Sequence, residues 1–158
     1  MRMIVISDTH RNAHILETII SKHLEDADLF IHLGDGRAEL EDMQILYPQK
    51  KFLAVTGNCD WGFEGKTFDL FQAGDIQIML THGHLYGVKE GLDRLMDAAK
   101  RNGSRIVLYG HTHQKLTVYR NGLYIMNPGS ASQPRSGGRT YGILDIQGRD
   151  VHMTIVDL

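Results

Sequence analysis

Met3-Ile4-Val5-Ile6-Ser7-Asp8-Thr9-His10 carries an apolar stretch straight into two residues able to bind metal, and the pattern recurs four more times. Leu29-Phe30-Ile31 leads through His32-Leu33-Gly34 into Asp35, and Phe52-Leu53-Ala54-Val55 leads into Gly57-Asn58. Ile76-Gln77-Ile78-Met79-Leu80 leads into His82-Gly83-His84, and Ile106-Val107-Leu108-Tyr109 into Gly110-His111-Thr112-His113. Short apolar runs bounded by glycine and polar residues read as buried strands. Ligand-bearing loops at the same ends of neighbouring strands converge, and open α/β sheets place their chemistry there. The series predicts an α/β metalloenzyme.

Working outward, strand and helix signals alternate in the first half. Asn12 is an N-cap for a helix whose stripe is Ile15, Leu16, Ile19, Ile20 and Leu24. Residues 28–33 and 51–55 read as strands, and 38–46 as a short helix stopped by Pro48. Residues 67–71 and 75–81 suggest a hairpin around Ala73-Gly74, and 88–101 a second long helix with Gly103 beyond its end. After a strand at 105–109, Asn121-Gly122 and Gln147-Gly148-Arg149 mark two further hairpins. βαβα units followed by antiparallel strands favour two mixed sheets packed together with helices outside. No linker divides the chain, so residues 1–158 are expected to form one domain. The loop from Asn127 to Arg139, rich in Gly, Ser, Pro and Arg, is the segment expected to be most mobile.

Composition narrows the function. With 42% hydrophobic residues, 23% charged and a formal net charge of -2, the chain has no global attraction for nucleic acid or anionic membrane. Cys59 is the single cysteine, which excludes an intrachain disulfide and a zinc site built from several thiolates. The N-terminal apolar run is too short for a signal peptide and no stretch approaches a membrane span, so a cytoplasmic protein is expected. Nine histidines are the compositional oddity, and six of them fall in the strand-end segments.

Asp8-x-His10 and His111-x-His113 each place two donors at i and i+2, on one side of an extended backbone. Carboxylate, imidazole and carboxamide donors suit Mn, Fe, Zn, Ni or Mg. Asp8, His10, Asp35, Asn58, His82, His111 and His113 are seven candidate ligands, too many for one four-coordinate ion. A carboxylate can bridge, so Asp35 is the candidate to join two divalent ions, and two-metal sites serve in-line displacement at phosphorus.

These motifs, with Gly34-Asp35, Gly57-Asn58 and Gly110-His111-x-His113 in this order, resemble those of the calcineurin-like metallophosphoesterases. Gly57-Asn58-Cys59-Asp60, Asn127-Pro128-Gly129-Ser130 and the short chain are similar to the small YfcE-type phosphodiesterases of that superfamily. The resemblance implies the metallo-dependent phosphatase fold, a four-layer αββα sandwich of two mixed β-sheets flanked by helices. It implies Asp8, His10, Asp35 and His113 on one metal and Asp35, Asn58, His82 and His111 on the other. A metal-bridging hydroxide would attack a small phosphodiester. Manganese is the first cofactor to consider, with Ni, Fe, Zn or Mg as alternatives. A protein-binding scaffold of the same fold, as in a retromer subunit, is the competing reading, and a homo-oligomer stays open.

The chain departs from the commoner pattern at one position. Many superfamily members have histidine after the Gly-Asn pair, placed to protonate the leaving group, and here Cys59 stands there. A thiol is a weak hydrogen-bond donor, so strong acid catalysis from position 59 is not expected. His84 is the alternative acid, or else supports its neighbours from behind. Ser130 and Arg135, with Arg139, are candidate phosphate partners, or a solvated turn with surface arginines. Arg11 and Arg37 either face the cleft or are merely exposed, and His32 reads as a packed support. Trp61 lines the cleft or caps the core, with the core preferred; His14, His23 and His152 read as surface residues.

Overall fold

Alternation along the first strand sets the layering. In β1 (Arg2–Ile6), Met3 and Val5 belong to one apolar cluster, while Ile4 and Ile6 belong to another on the opposite face. The computed structural model, which describes residues 1–158, shows β1 followed by α1 (Ala13–Lys22), β2 (Leu29–His32), α2 (Arg37–Leu46) and β3 (Phe52–Ala54). The hairpin β4 (Phe68–Ala73) and β5 (Ile76–Thr81) comes next, then α3 (Asp93–Arg101) and β6 (Ile106–Leu108). Two hairpins end the chain: β7 (Lys115–Arg120) with β8 (Leu123–Pro128), and β9 (Thr140–Gln147) with β10 (Asp150–Asp157).

One sheet has the order β10-β9-β1-β2-β3 and the other β4-β5-β6-β8-β7. Both are mixed: β1, β2 and β3 run parallel, as do β5, β6 and β8, with antiparallel strands at the margins. Met3, Val5 and Ile31 from the first sheet meet Ile78, Leu80 and Leu108 from the second in the central core. Ile4, Ile6 and Phe30 turn outward against Leu16, Ile19 and Ile20 of α1 and Leu40 and Met43 of α2. Met79, Val107 and Ile125 do the same against Leu95, Met96 and Ala99 of α3. The result is the expected four-layer αββα sandwich. Truncating a fully buried member such as Ile31 to alanine costs about 2–5 kcal/mol, so the sheets form a stiff platform.

Asn12 caps α1 as read, its side-chain oxygen accepting from Ile15 N–H at 3.1 Å. Asn121 (φ 52°) and Gly122 (φ 85°) both take the left-handed backbone that a tight hairpin turn requires. The expected helix over 88–101 is shorter: it starts at Asp93, and a single 3₁₀ turn at His84–Tyr86 precedes it. Gly87 (φ 62°) and Gly91 (φ 159°) hold backbone angles that a continuous right-handed helix cannot contain. Three further expectations are corrected. Trp61 is 84% exposed, not in the core. His23 is buried, its ring between Asp26 Oδ1 (3.0 Å) and the Tyr141 hydroxyl (2.9 Å), not on a surface. The loop after β8 is anchored in its first half: Ser130 and Ala131 are buried, and Ala131 N–H donates to Ser7 O. Its small residues permit close packing there. No helix is long and apolar enough to cross a membrane.

Candidate metal centre

All five ligand-bearing loops leave the C-terminal ends of the parallel strands, and hydrogen bonds tie them to one another across the two sheets. Asp8 N–H donates to Gly34 O (3.1 Å), His10 N–H to Asp35 O (2.9 Å) and Gly110 N–H to His82 O (3.1 Å). His111 N–H reaches the other sheet, donating to Asp8 Oδ2 at 3.1 Å. Seven non-glycine residues have left-handed backbone, and five are candidate ligands: Asp8, His10, Asp35, His111 and His113. Such backbone costs of order 1 kcal/mol or more per residue and persists where surrounding structure enforces it, which concentrates it at functional sites.

The donor atoms face one another. His113 Nδ1 donates to Gln133 O at 2.6 Å, which leaves Nε2 with its lone pair in the neutral ring. That nitrogen lies 3.1 Å from Asp8 Oδ1 and 3.1 Å from His10 Nε2. Asp8 Oδ1 is buried and has no hydrogen-bond donor. Three electron-rich atoms aimed at one another are repulsive unless a proton or a cation lies among them. A second group repeats the logic. His82 Nδ1 donates to Leu33 O at 2.7 Å, and its Nε2 faces Asn58 Oδ1 at 3.2 Å and Asp35 Oδ2 at 3.4 Å. Asp35 joins the groups, since His10 Nε2 is 3.9 Å from the same Asp35 Oδ2. The backbone carbonyls behind His113 and His82 fix their tautomers, as is usual for metal-binding imidazoles. The residues fit a centre of one or two divalent cations.

Electrostatics agrees with a site that accepts positive charge. The Asp8 carboxylate raises the His113 imidazole above its ordinary range. Burial alone favours the neutral carboxyl at Asp8 and Asp35, yet His113 and His82 outweigh it and both acids lie below the usual carboxylate range. Burial and neighbouring His82 push His111 down to about 4, so its ring is a neutral donor near pH 7. That ring packs edge-on to His82 with centroids 5.0 Å apart, but its nitrogens fall outside the close donor triads.

The sequence-derived candidates divide clearly. His84 sits beside His82 and His111, its Nδ1 buried without a partner, and burial lowers its pKa. Cys59 brings Sγ close to donors of His10 and Asp35, and its N–H donates to Asp35 Oδ1 at 2.7 Å. Burial and the Asp35 carboxylate push its thiol up to about 11, so it does not ionise near neutrality in the metal-free protein. Ser130 is not open to a phosphate: its buried hydroxyl donates to Asp8 O (2.7 Å) and accepts from Ser132 and Gln133 N–H. Arg135 is exposed on a neighbouring cleft, and Arg139 is exposed without a side-chain hydrogen bond. Arg11, Arg37 and Trp61 line a cleft that borders His10 and Asp35. His32 is packed as read, against the Thr9 hydroxyl at 3.0 Å.

Sequence reasoning missed three supports. Asp60 accepts from the N–H groups of Asp35, Gly36, Arg37 and Gly57 at 2.8–2.9 Å, tying two loops together. Thr9 donates to Glu39 Oε1 at 2.6 Å, and Glu39 is buried although it is an acid on a short helix. Position within the Gly57-Asn58-Cys59-Asp60 segment signalled Asp60; nothing local signalled Glu39.

A family model described as the calcineurin-like phosphoesterase superfamily domain matches residues 1–149. The chain belongs to that superfamily. Among curated relatives of this metallophosphoesterase, the probable metallophosphoesterase YsnB of Bacillus subtilis is 33% identical, over 93% of this chain and 85% of its own. The phosphodiesterase YfcE of Escherichia coli is 35% identical, over 60% of this chain and 53% of its own. A predicted phosphoesterase from Streptococcus pneumoniae superposes with a TM-score of 0.85 at 28% identity, covering 99% of this chain and 88% of that one. Vacuolar Protein Sorting 29 of Cryptosporidium parvum superposes at 0.83 with 20% identity over 99% and 91%, a likeness of fold alone.

Proposed function

We propose that the chain is a two-metal phosphodiesterase hydrolysing a small phosphodiester. The observation that carries the reading is the convergence of otherwise repulsive donor atoms around Asp8 and Asp35, on a metallophosphoesterase fold. Asp8, His10, Asp35 and His113 would hold one cation, and Asp35, Asn58, His82 and His111 the other. When bound, the cations supply an ionised water for attack and neutralise charge on the phosphoryl oxygens, with Mn the first metal to test. The protein's part is to hold these donors in register: Asp60, Glu39 and Ser130 fix the loops through backbone hydrogen bonds. His84, partly buried beside His82 and His111, would supply the proton to the leaving oxygen. Its lowered pKa makes it a modest acid at pH 7. With a thiol at 59 as well, the site suits diesters with acidic leaving groups.

The name of YfcE supports the diester preference. The scaffold reading draws on the likeness to Vacuolar Protein Sorting 29. A panel of mono- and diesters assayed with Mn, Ni, Mg and Zn separates them, alongside Asp35→Asn. Diester hydrolysis lost in Asp35→Asn supports the proposal. No hydrolysis by a metal-bound protein would favour the scaffold.

A further inference from the structure

Two clefts border the candidate metal centre, and each carries a pair of cations that the centre itself does not use. The first, of about 360 Å³, is shared by His10 and Asp35 with Arg11, Arg37, Trp61 and Phe63. The second, of about 290 Å³, lies against the His111-Thr112-His113 loop and is lined by Lys89, Thr112, Gln114 and Arg135. His10 lines the first cleft and Thr112 the second. The nitrogens of His10 and of His113, the neighbour of Thr112, are 3.1 Å apart, so the clefts flank the same centre. A phosphoryl group at the centre therefore has one arm available to each cleft.

The side chains of the first cleft define what its arm must be. Trp61 is the most exposed large apolar side chain of the protein, and Phe63 is partly exposed beside the same space. An indole left in water next to a polar centre is a stacking surface for a planar ring, and every nucleobase has a π-face to offer. The acids of this cleft are already committed. Asp60 receives four backbone N–H groups, and Glu39 Oε1 receives the Thr9 hydroxyl and Arg11 N–H. Arg11 has no side-chain partner, and Arg37 has a 3.3 Å contact with Glu41 while its Nε is unpaired. The net offer is two guanidinium groups beside an aromatic platform. Lys89 and Arg135, both exposed, make the second cleft cationic without acidic lining.

We infer that the substrate is a short nucleotidyl phosphodiester bearing a further phosphate, its base on Trp61 and its outer phosphate against Lys89 and Arg135. The inference rests on the phosphodiesterase reading above and names the substrate class for that site. A net charge of -2 offers no extended attraction for the backbone of a long polymer, which favours a short substrate. The volumes suit arms of about one nucleotide each.

Trp61 is the chain's single tryptophan, so tryptophan emission, excited apart from the tyrosines, reports on this cleft alone. Metal-free protein titrated with the deoxydinucleotide pdApdA should show saturable quenching. The dissociation constant should rise at least five-fold in a Lys89→Ala/Arg135→Ala variant, which keeps the fluorophore. In Mn-loaded enzyme, Trp61→Ala should lower kcat/KM for pdApdA at least ten-fold more than for methyl p-nitrophenyl phosphate, and Trp61→Phe should restore part of the loss. Absence of quenching, or an equal effect of Trp61→Ala on both esters, overturns the inference while hydrolysis of methyl p-nitrophenyl phosphate still upholds the phosphodiesterase. Quenching without hydrolysis of either ester sustains the nucleotide surface and overturns the enzyme.

Discussion

Gly57→Ala is the sharpest probe of how the centre is built. A Cβ on Gly57 would press on Asp35 Oδ1 well inside van der Waals contact, and lie 2.6 Å from Asp35 N and 2.9 Å from its Cγ. Asp35 N is backbone, pinned by Asp60 and already in a left-handed conformation, so the carboxylate must rotate and the two loops must also move apart. Rotation breaks the Cys59 N–H bond to Oδ1. Overpacking costs about 1–3 kcal/mol, and the lost hydrogen bond about 1 kcal/mol more. Alanine recovers about 0.4–1 kcal/mol by restricting the unfolded chain. The net loss is about 2 kcal/mol, or about 4–8 °C in Tm for a domain of this size. If Asp35 is the ligand proposed, displacing its carboxylate should also weaken metal binding by at least about 10–100-fold, the cost of losing even a supporting contact elsewhere. Calorimetric melting of metal-free protein and isothermal titration with Mn read the two effects separately. Gly138→Ala is the control, since its Cβ meets nothing within 4 Å, and its Tm should hold or rise slightly. A Gly57→Ala protein that melts lower yet binds Mn as tightly as the parent would refute the placement of Asp35 as a ligand.

Mn at about 100 times its dissociation constant should stabilise the protein by about 2.7 kcal/mol, hence raise Tm by about 5–11 °C. Asp8→Asn should remove most of that shift in the same scan, because it replaces the orphaned Oδ1 donor; a full shift would exclude Asp8 as a ligand. Cys59→His should raise kcat most for esters with poor leaving groups, flattening the plot of log kcat against leaving-group pKa. An unchanged slope would show that position 59 does not limit protonation. At the far end of the first sheet, Arg2 donates to both oxygens of Asp145 at 2.9 Å and holds that acid below the usual carboxylate range. A depressed folded pKa gives stability that is present above about pH 4 and lost as pH falls through the folded value. Asp145→Asn should therefore lower the denaturation midpoint at pH 7 and converge with the parent in acid; a constant gap would contradict the linkage.

The layering was legible because β1 is apolar on both faces, as a strand that feeds two cores must be, and such a run stands out in the sequence. The candidate ligands were legible because each follows its own strand, so one-dimensional order maps onto one end of two sheets. What could not be read is set by distant packing. Residues 88–92 look helical by apolar spacing, but Gly87 and Gly91 take positive φ angles that no periodicity in the sequence announces. Trp61 has the composition of a core residue, and only the absence of surrounding strands leaves it in water. Ser130 looked like a phosphate donor because its hydroxyl is reactive in kind; its partner, Asp8 O, lies 122 residues away.

The contact between His10 and His113 spans 103 residues. It is one of several long-range closures, with the pairing of β1 and β9, and closing long loops is among the later rewards of folding. A nascent chain whose second sheet has not yet docked holds four of the seven candidate donors, on three loops of the first sheet. Tight cation uptake is then a readout of finished assembly, and the centre acts as a clasp between the first and second sheets. A cation that favours the closed clasp should slow unfolding more than it speeds folding.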